Sequence, residues 1–417
     1  MGEQPELKSV ERHIEDVLSI VEPLPVIELD LLEATGCVLA EEVSATTALP
    51  SFDNSSMDGY AVVAADVQDA SGDNPVRLPV VADIAAGDGS PHAIRPGMCT
   101  RIMTGAPMPA GADAVIPVEW TDGGTAHVLI RRPAPERTFI RRVGEDVHPG
   151  DVVAKPGTRL LPAVVGLLAA VGRRSVKVRP RPRLVVMSTG TELTELGKPV
   201  GYGAIWDSNS YMLTAAARQL GGLGIRHGIV ADEPQAVLDA IDDQLVRADV
   251  LITSGGVSMG AHDVVKEVLS KSATMRFEKV AMQPGMPQGF GTVHGPGEGE
   301  STPIFTLPGN PVSSYVSFQL FVRPALRKMQ GLAPDPLPTV KATVTGPVRS
   351  PGGRRSFIRA RLDYTGSGYE ATPIGGQGSH QLAALASANA LVIVPEWIAQ
   401  LSAGDEVEAM MLPGYEG

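Results

Sequence analysis

Aromatic residues make up only 4% of the 417-residue chain, cysteines number two, and no apolar run approaches the roughly 18 residues that a membrane-spanning helix needs. Cys37 and Cys99 fall in no CxxC or Cys/His pattern, which excludes a disulfide framework and a zinc site of ordinary spacing. The chain is also short of positive charge: 35 basic residues stand against 47 acidic ones, a net charge of −12. That balance opposes nucleic acid as the main partner, because phosphate binding needs a basic surface that releases counterions. The charged N-terminal stretch has no apolar core of a signal peptide, so a cytoplasmic protein without a transmembrane segment is expected.

Glycine and proline are abundant instead. The 46 glycines and 35 prolines form about a fifth of the chain, without a collagen-like period or a low-complexity tract, and imply many short turns. With 43% hydrophobic residues, the length is sufficient for two to four domains.

Val10, Ile14, Val17 and Leu18 have helical spacing behind Ser9, a plausible N-cap. Leu29, Leu32, Ala34, Val38 and Leu39 suggest a second short helix running to about Val43. Residues 47–144 hold short β-type runs at Tyr60–Val63, Val76–Val81, Ala114–Pro117 and His127–Ile130 and read as a β-rich insert. Leu160 to Val171 is helix-length and ends at Gly172, and the basic run 173–183 reads as a linker. Strands at Leu184–Met187, Ile225–Val230, Val250–Thr253 and Pro303–Leu307 then alternate with helices at Tyr211–Leu220, Ala236–Val246 and Val264–Leu269, which indicates a parallel sheet. A long helix from Val312 to Met329, a proline-rich linker at 332–338 and a final β module complete the chain. The resulting division is 1–46 with 145–179, 47–144, 180–331 and 332–417.

Three strands of the parallel region end in glycine beside hydroxyl or amide side chains: Ser188-Thr189-Gly190, Ser254-Gly255-Gly256-Val257-Ser258, and Pro308-Gly309-Asn310-Pro311 followed by Ser313. In a parallel sheet these ends converge on one edge, where α/β folds bind ligands and where backbone N–H groups suit an anion. The plainer alternative for each is a tight turn that needs glycine, and for Asn310 and Pro311 a helix cap and first turn. Asp263 and Lys266 would share a helix face, as ligand contacts or as an ordinary ion pair. Glu145, Asp146 and Asp232 are carboxylates that could hold Mg²⁺ through oxygen ligands, the plainer alternative for lone acidic residues being simple solvation. No Ser/His/Asp triad or histidine metal spacing is present in the sequence, which disfavours nucleophilic catalysis.

Taken together, FDNSSMDGYA from Phe52, RIMTGAPMPAGADAVIPVE from Arg101, VGED from Val143, STGTEL from Ser188, SGGVSMGAHDVVK from Ser254 and LPGNPVSSYVSF from Leu307 closely resemble the molybdopterin molybdenumtransferase family (MoeA), which includes the C-terminal part of gephyrin. The resemblance covers nearly the whole chain. It implies a multi-domain α/β and β fold: an elongated subunit with a MoaB/Mog-like α/β domain, a β insert and a C-terminal β-barrel-like domain, assembled as a homodimer. The implied reaction is Mg²⁺-dependent insertion of molybdate into adenylyl-molybdopterin, with release of AMP.

By motif position the resemblance assigns Asp58, Thr104, Asp146, Glu192, Asp263, Lys266 and Lys279 to the catalytic machinery, and Glu192, Asp232 and Asp263 to the metal. It assigns Ser188, Thr189, Gly190, Ser208, Asn209, residues 254–258, residues 308–311 and Ser313 to the cofactor loops, and Arg354 and Ser379 to the oxyanion region. The chain departs from the family at Thr191, where an acidic residue is usual, and at Gln283 and Met286, where the family has lysines. The second reading that follows is a gephyrin-like dimeric scaffold that binds a short peptide of a membrane or cytoskeletal protein, with weak or lost insertase activity.

Overall fold

The computed structural model describes residues 7–256, 264–272, 274–294 and 301–414. They belong to two compact units, one of residues 1–27, 36–40 and 177–417, the other of residues 28–35 and 41–176.

In the first unit, Ser9 caps the helix Val10–Ser19 by accepting the Arg12 N–H at 3.2 Å, and Val10, His13 and Val17 are the residues that the helix buries. The centre of the unit is a six-stranded sheet, in spatial order Leu223–Val230, Arg183–Thr189, Val250–Ser254, Ser301–Leu307, Pro287–His294 and Arg276–Lys279. The first four strands are parallel, as the alternating pattern predicts; Pro287–His294 runs antiparallel to them, and Arg276–Lys279 pairs antiparallel with Pro287–His294. Helices cover both faces. Asn209–Gln219 and Pro311–Ser317 pack on one, with Leu213, Ala217, Val312 and Val316 in the core. Pro234–Leu245 and Val264–Ser272 pack on the other, through Val237, Ile241, Val265 and Leu269. The chain moves from Arg183–Thr189 to its neighbour on one side and then returns to Val250–Ser254 on the other. The crevice between these two strand ends is therefore the topological switch point of the sheet.

The C-terminal module is a closed barrel. Arg355–Tyr364, Tyr369–Pro373, Thr339–Val344, Glu406–Met411 and Ala390–Val394 pair in turn, and the last strand pairs back with the first. Closure removes the open edges that a small sheet would otherwise expose. The short strand Met282–Gln283 joins Arg355–Tyr364 in parallel, with Met282 opposite Arg355 and Gln283 opposite Ser356.

The second unit holds the β insert as a five-stranded sheet, Ala114–Pro117, Gly59–Val62, Cys99–Ile102, Val76–Ile84 and His127–Ile130 in spatial order. Tyr60, Cys99, Ile116 and Ile130 form its core. The helix Pro162–Ala170 is followed by Gly172 at φ +82°, the expected stop.

Four local expectations are corrected. The helix expected over 29–43 is replaced by the strands Ile27–Asp30, Val38–Leu39 and Val43–Ser44. Leu32 is 81% exposed, so no apolar stripe exists there, and Val38–Leu39 instead pairs with Val178 and Arg179. The basic run 173–183 is not a plain linker, because Ser175–Arg179 is a strand that buries Val176 and Val178. The long helix is interrupted by a π-turn at Phe318–Val322. Pro324 lacks an N–H and its ring crowds the carbonyl four residues earlier, which widens the turn ahead of it. Asn310 precedes the helix, but its side chain makes no capping hydrogen bond, whereas Pro311 does occupy the first turn.

Candidate functional site

Asn209 draws the switch point together. It sits buried at the start of its helix, and its side-chain amide donates to Ser254 Oγ at 2.8 Å and to the Gly309 carbonyl at 2.7 Å. Ser254 Oγ lies 3.5 Å from Ser314 Oγ, which donates to the Pro308 carbonyl at 2.9 Å. The Gly255 N–H donates to the Leu307 carbonyl at 3.0 Å. Gly255 adopts φ +96°, and a Cβ there would stand 2.6 Å from the Thr189 carbonyl, so the approach of these two strand ends requires glycine. Three of the sequence-predicted loops thus meet physically. Asn209 Oδ1 is buried and unpartnered, an acceptor left open at this junction.

A charged network that sequence reasoning missed supports this arrangement. Asp207, 1% exposed, accepts from Ser188 Oγ at 3.0 Å and from the Ser210 N–H at 3.1 Å, fixing the end of one strand and the start of the Asn209 helix. Asp207, rather than the exposed Ser208, supplies that cap. Arg226 donates to Ser210 Oγ at 2.6 Å, to Asp207 at 3.2 Å and to Glu195 at 2.6 Å, and its guanidinium stacks 4.3 Å from the Tyr211 ring centroid. Asp207 directly precedes Ser208 and Asn209, but a lone buried aspartate has no spacing that identifies it.

The remaining expected residues have separate settings. Ser188, Thr189 and Ser313 are buried, Gly190 and Gly256 are half-buried, and Thr191 and Glu192 are exposed beside the first strand end. Asp232 is half-buried in the turn after Leu223–Val230, the neighbouring strand. Lys266 holds its ammonium 5.6 Å from the Phe277 ring centroid. Lys279 ends the edge strand of the sheet, and its carbonyl accepts the Lys8 N–H at 2.9 Å. Ser379 reaches the site through its backbone, because its carbonyl accepts the Val312 N–H at 3.0 Å at the start of the helix that follows Asn310. Arg354 is half-buried just before the first barrel strand. Val257, Ser258 and Asp263 lie outside the described residues.

Asp58, Thr104 and Asp146 belong to the second unit. Asp58 accepts both the Thr104 N–H at 2.7 Å and the Thr104 hydroxyl at 2.8 Å. These bonds, the backbone one first, hold its carboxyl below the usual range. Asp146 is exposed, and its N–H donates to the Leu49 carbonyl at 3.0 Å.

A doubly covered α/β sheet with glycine-bearing strand ends meeting at its switch point, with a closed barrel and a β insert in the same chain, defines a multidomain α/β and β protein whose strand-end crevice is of the kind in which α/β folds bind ligands. Residues 8–172 match the MoeA N-terminal region (domain I and II), residues 185–328 a probable molybdopterin binding domain, and residues 341–412 the MoeA C-terminal region (domain IV). Molybdopterin molybdenumtransferase 2 of Mycobacterium tuberculosis (strain ATCC 25618 / H37Rv) is 45% identical over 410 residues, covering 96% of this chain and 99% of that protein. Molybdopterin molybdenumtransferase of Nostoc sp. is 38% identical over 92% of this chain and 88% of its own length. The crystal structure of a molybdopterin biosynthesis MoeA protein from Pyrococcus horikoshii aligns with a TM-score of 0.76 at 31% identity, covering 98% of this chain and all of that one. The chain belongs to the molybdopterin molybdenumtransferase (MoeA) family.

Proposed function

We propose that this chain is an enzyme of molybdenum cofactor biosynthesis that inserts molybdate into adenylyl-molybdopterin, with Mg²⁺ and with release of AMP. The observation that carries this reading is the meeting of Ser188, Asn209, Ser254, Gly255 and Gly309 at the switch point of a domain that matches a molybdopterin-binding family. Hydroxyls, backbone N–H groups and an open amide oxygen suit a pterin that carries a phosphoanhydride. Residues 254–258 and 308–313 cradle the phosphates, Asn209 orients the substrate, and Lys279, Arg354 and Ser379 receive the oxyanion. Asp58, Thr104, Asp146 and Lys266 complete the catalytic set.

Mg²⁺ would be held by Glu192, Asp232 and Asp263. The donor chemistry fits, since all three are hard carboxylate oxygens and Mg²⁺ keeps several of its waters. Glu192 and Asp232 follow adjacent strands, while no cluster of three or more metal-ligating side chains is found among the described residues. When bound, Mg²⁺ would neutralise phosphate charge.

The active form is a homodimer divided as 1–46 with 145–179, 47–144, 180–331 and 332–417, and it works in the cytoplasm. The buried thiols of Cys37 and Cys99 suit a reducing compartment, and no helix among the described residues is long and apolar enough to cross a membrane. The test is to mix purified protein with adenylyl-molybdopterin, Mg²⁺ and molybdate and to follow AMP. Molybdate-dependent AMP release is expected. Tight binding of the adenylate without AMP release would overturn the transferase reading and favour the peptide-binding scaffold.

A further inference from the structure

Between the strand that ends at Thr189 and the helix that starts at Asn209 the chain makes an excursion, residues 190–206, in which no side chain is buried. Leu196, Tyr202, Ile205 and Trp206 are exposed, so apolar burial does little to hold this loop against the sheet. Its backbone bonds shape it from within: the Ile205 N–H donates to the Glu192 carbonyl at 2.8 Å and the Asp207 N–H to the Thr194 carbonyl at 3.1 Å. Glu195 reaches out of the loop. One of its carboxylate oxygens accepts from the Arg226 guanidinium at 2.6 Å and the other from the Ile229 N–H at 3.2 Å, and both partners belong to the edge strand Leu223–Val230.

The edge strand is shaped to receive that carboxylate. Its register skips His227 between Arg226 and Gly228, a local bulge, and Gly228 adopts φ +110°. A Cβ on Gly228 would stand 3.0 Å from Glu195 Oε1, so glycine leaves the room. Arg226 is held independently by Ser210 Oγ, by Asp207 and by the Tyr211 ring, and Glu195 therefore meets a cation already in place. An isolated surface ion pair is worth little. This carboxylate is instead shared between a guanidinium and a backbone N–H at the base of a loop that buries nothing.

The loop carries Glu192, whose carboxylate folds back over the strand end: a Cβ on Gly190 would stand 2.5 Å from Glu192 Oε2. Ile229, the other partner of Glu195, lies just before the turn that carries Asp232. We propose that Glu195 and Arg226 are a positioning pair: they latch residues 190–206 to the edge strand and so set the Glu192 carboxylate relative to Asp232. The consequence for Mg²⁺ rests on the reading of these two carboxylates as its ligands. The structural one does not.

The test uses the full chain and compares wild type with Glu195→Ala and Glu195→Gln. Amide hydrogen exchange is followed at Ile205 and Asp207, with barrel strand Ala390–Val394 as the internal reference. In Glu195→Ala both amides exchange at least tenfold faster while the reference strand is unchanged. Glu195→Gln keeps an oxygen for the Ile229 N–H but loses the charge; it shows the same pattern at smaller amplitude and remains informative if the alanine variant does not fold. Mg²⁺ alone, titrated into substrate-free protein and followed by the amide shifts of Glu192 and Asp232, saturates at a concentration at least fivefold higher in Glu195→Ala than in wild type. In the transfer assay the Mg²⁺ concentration for half-maximal rate rises by the same factor, with KM for molybdate within twofold. Unchanged exchange at Ile205 and Asp207, acceleration that extends equally to the barrel, or faster exchange with an unaltered Mg²⁺ titration would overturn the proposal. Wild-type protein that responds to Mg²⁺ but releases no AMP would sink the transferase reading alone.

Discussion

The side-chain amide of Asn209 stands 2.7 Å from the Gly309 carbonyl, a hydrogen bond between residues one hundred positions apart that joins a helix start to a loop two strands away. The second N–H of the same amide is committed to Ser254, on the strand between them. One residue thus ties the ends of neighbouring strands into a single surface, and its oxygen is left for something else.

Asn209→Ala removes both bonds and strands a buried hydroxyl and a carbonyl. Leaving buried groups unsatisfied costs roughly 1–3 kcal/mol, so a fall of about that size in unfolding free energy is expected in urea titration. Affinity for adenylyl-molybdopterin should fall at least tenfold by isothermal calorimetry. A variant that loses stability but binds normally would reduce Asn209 to a structural tie.

Much of the fold was readable because its signals are local. Ser9 announces its helix by capping it, and glycine marks the ends of the strands finishing at Thr189, Ser254 and Leu307. The misread parts depend on distant partners. Val38–Leu39 is a strand only because Val178 and Arg179 lie beside it, and the alternation in Ser175–Arg179 is hidden by flanking arginines. The same distinction runs through the site. Loops were legible from glycine and hydroxyl residues, whereas Asp207 and Arg226 act across the fold as single polar residues with no periodic neighbours.

The Asp58 carboxylate provides a test in the second unit. Thr104→Val deletes the hydroxyl and keeps the N–H donor, so the Asp58 pKa should rise part of the way toward its ordinary value of 3.8. Side-chain carboxyl carbon NMR reads this directly. Because the folded value is depressed, the stability contributed by this pair is present above the unfolded value and is lost as pH falls through the folded one. In Thr104→Val that contribution is smaller and its loss is complete at higher pH. A wild-type value at or above 3.8 would refute the assigned hydrogen bonds.

His13 makes the N-terminal helix sensitive to acid. Its ring is buried edge-on against Phe290 and Phe321, with centroids 5.0 and 4.5 Å away, and Nδ1 lies 3.1 Å from Glu278. Burial pushes its pKa down from 6.5 to about 4; Glu278 and Asp16 oppose that shift, while the nearby Lys8 adds to it. A buried base with a depressed pKa binds its proton more readily when unfolded. Stability is therefore full above about 6.5 and declines as pH falls toward 4, by about 1.4 kcal/mol per pH unit for one proton. His13→Gln, which cannot take up that proton, should show a shallower decline between pH 6.5 and 4.5 in urea titrations. Parallel slopes for the two proteins would exclude His13 as the source.

Gln283 and Met286, where the family resemblance leads one to expect lysines, provide a test of the proposed oxyanion region. Gln283 is exposed on the short strand that pairs with the start of Arg355–Tyr364, next to Arg354, and the Met286 carbonyl closes the same hairpin by accepting the Val280 N–H at 2.8 Å. The neighbouring Arg355 is already engaged, with Glu11 and with Glu396 at 3.0 Å. Lysines at 283 and 286 would therefore bring positive charge that the region's own arginines do not all have free to give. Solvent screening limits each new cation to about 1 kcal/mol, so Gln283→Lys with Met286→Lys should lower KM for molybdate roughly tenfold while leaving KM for adenylyl-molybdopterin unchanged. An unaltered molybdate KM would place both positions away from the oxyanion and transfer the burden of binding it to Arg354, Lys279 and Ser379.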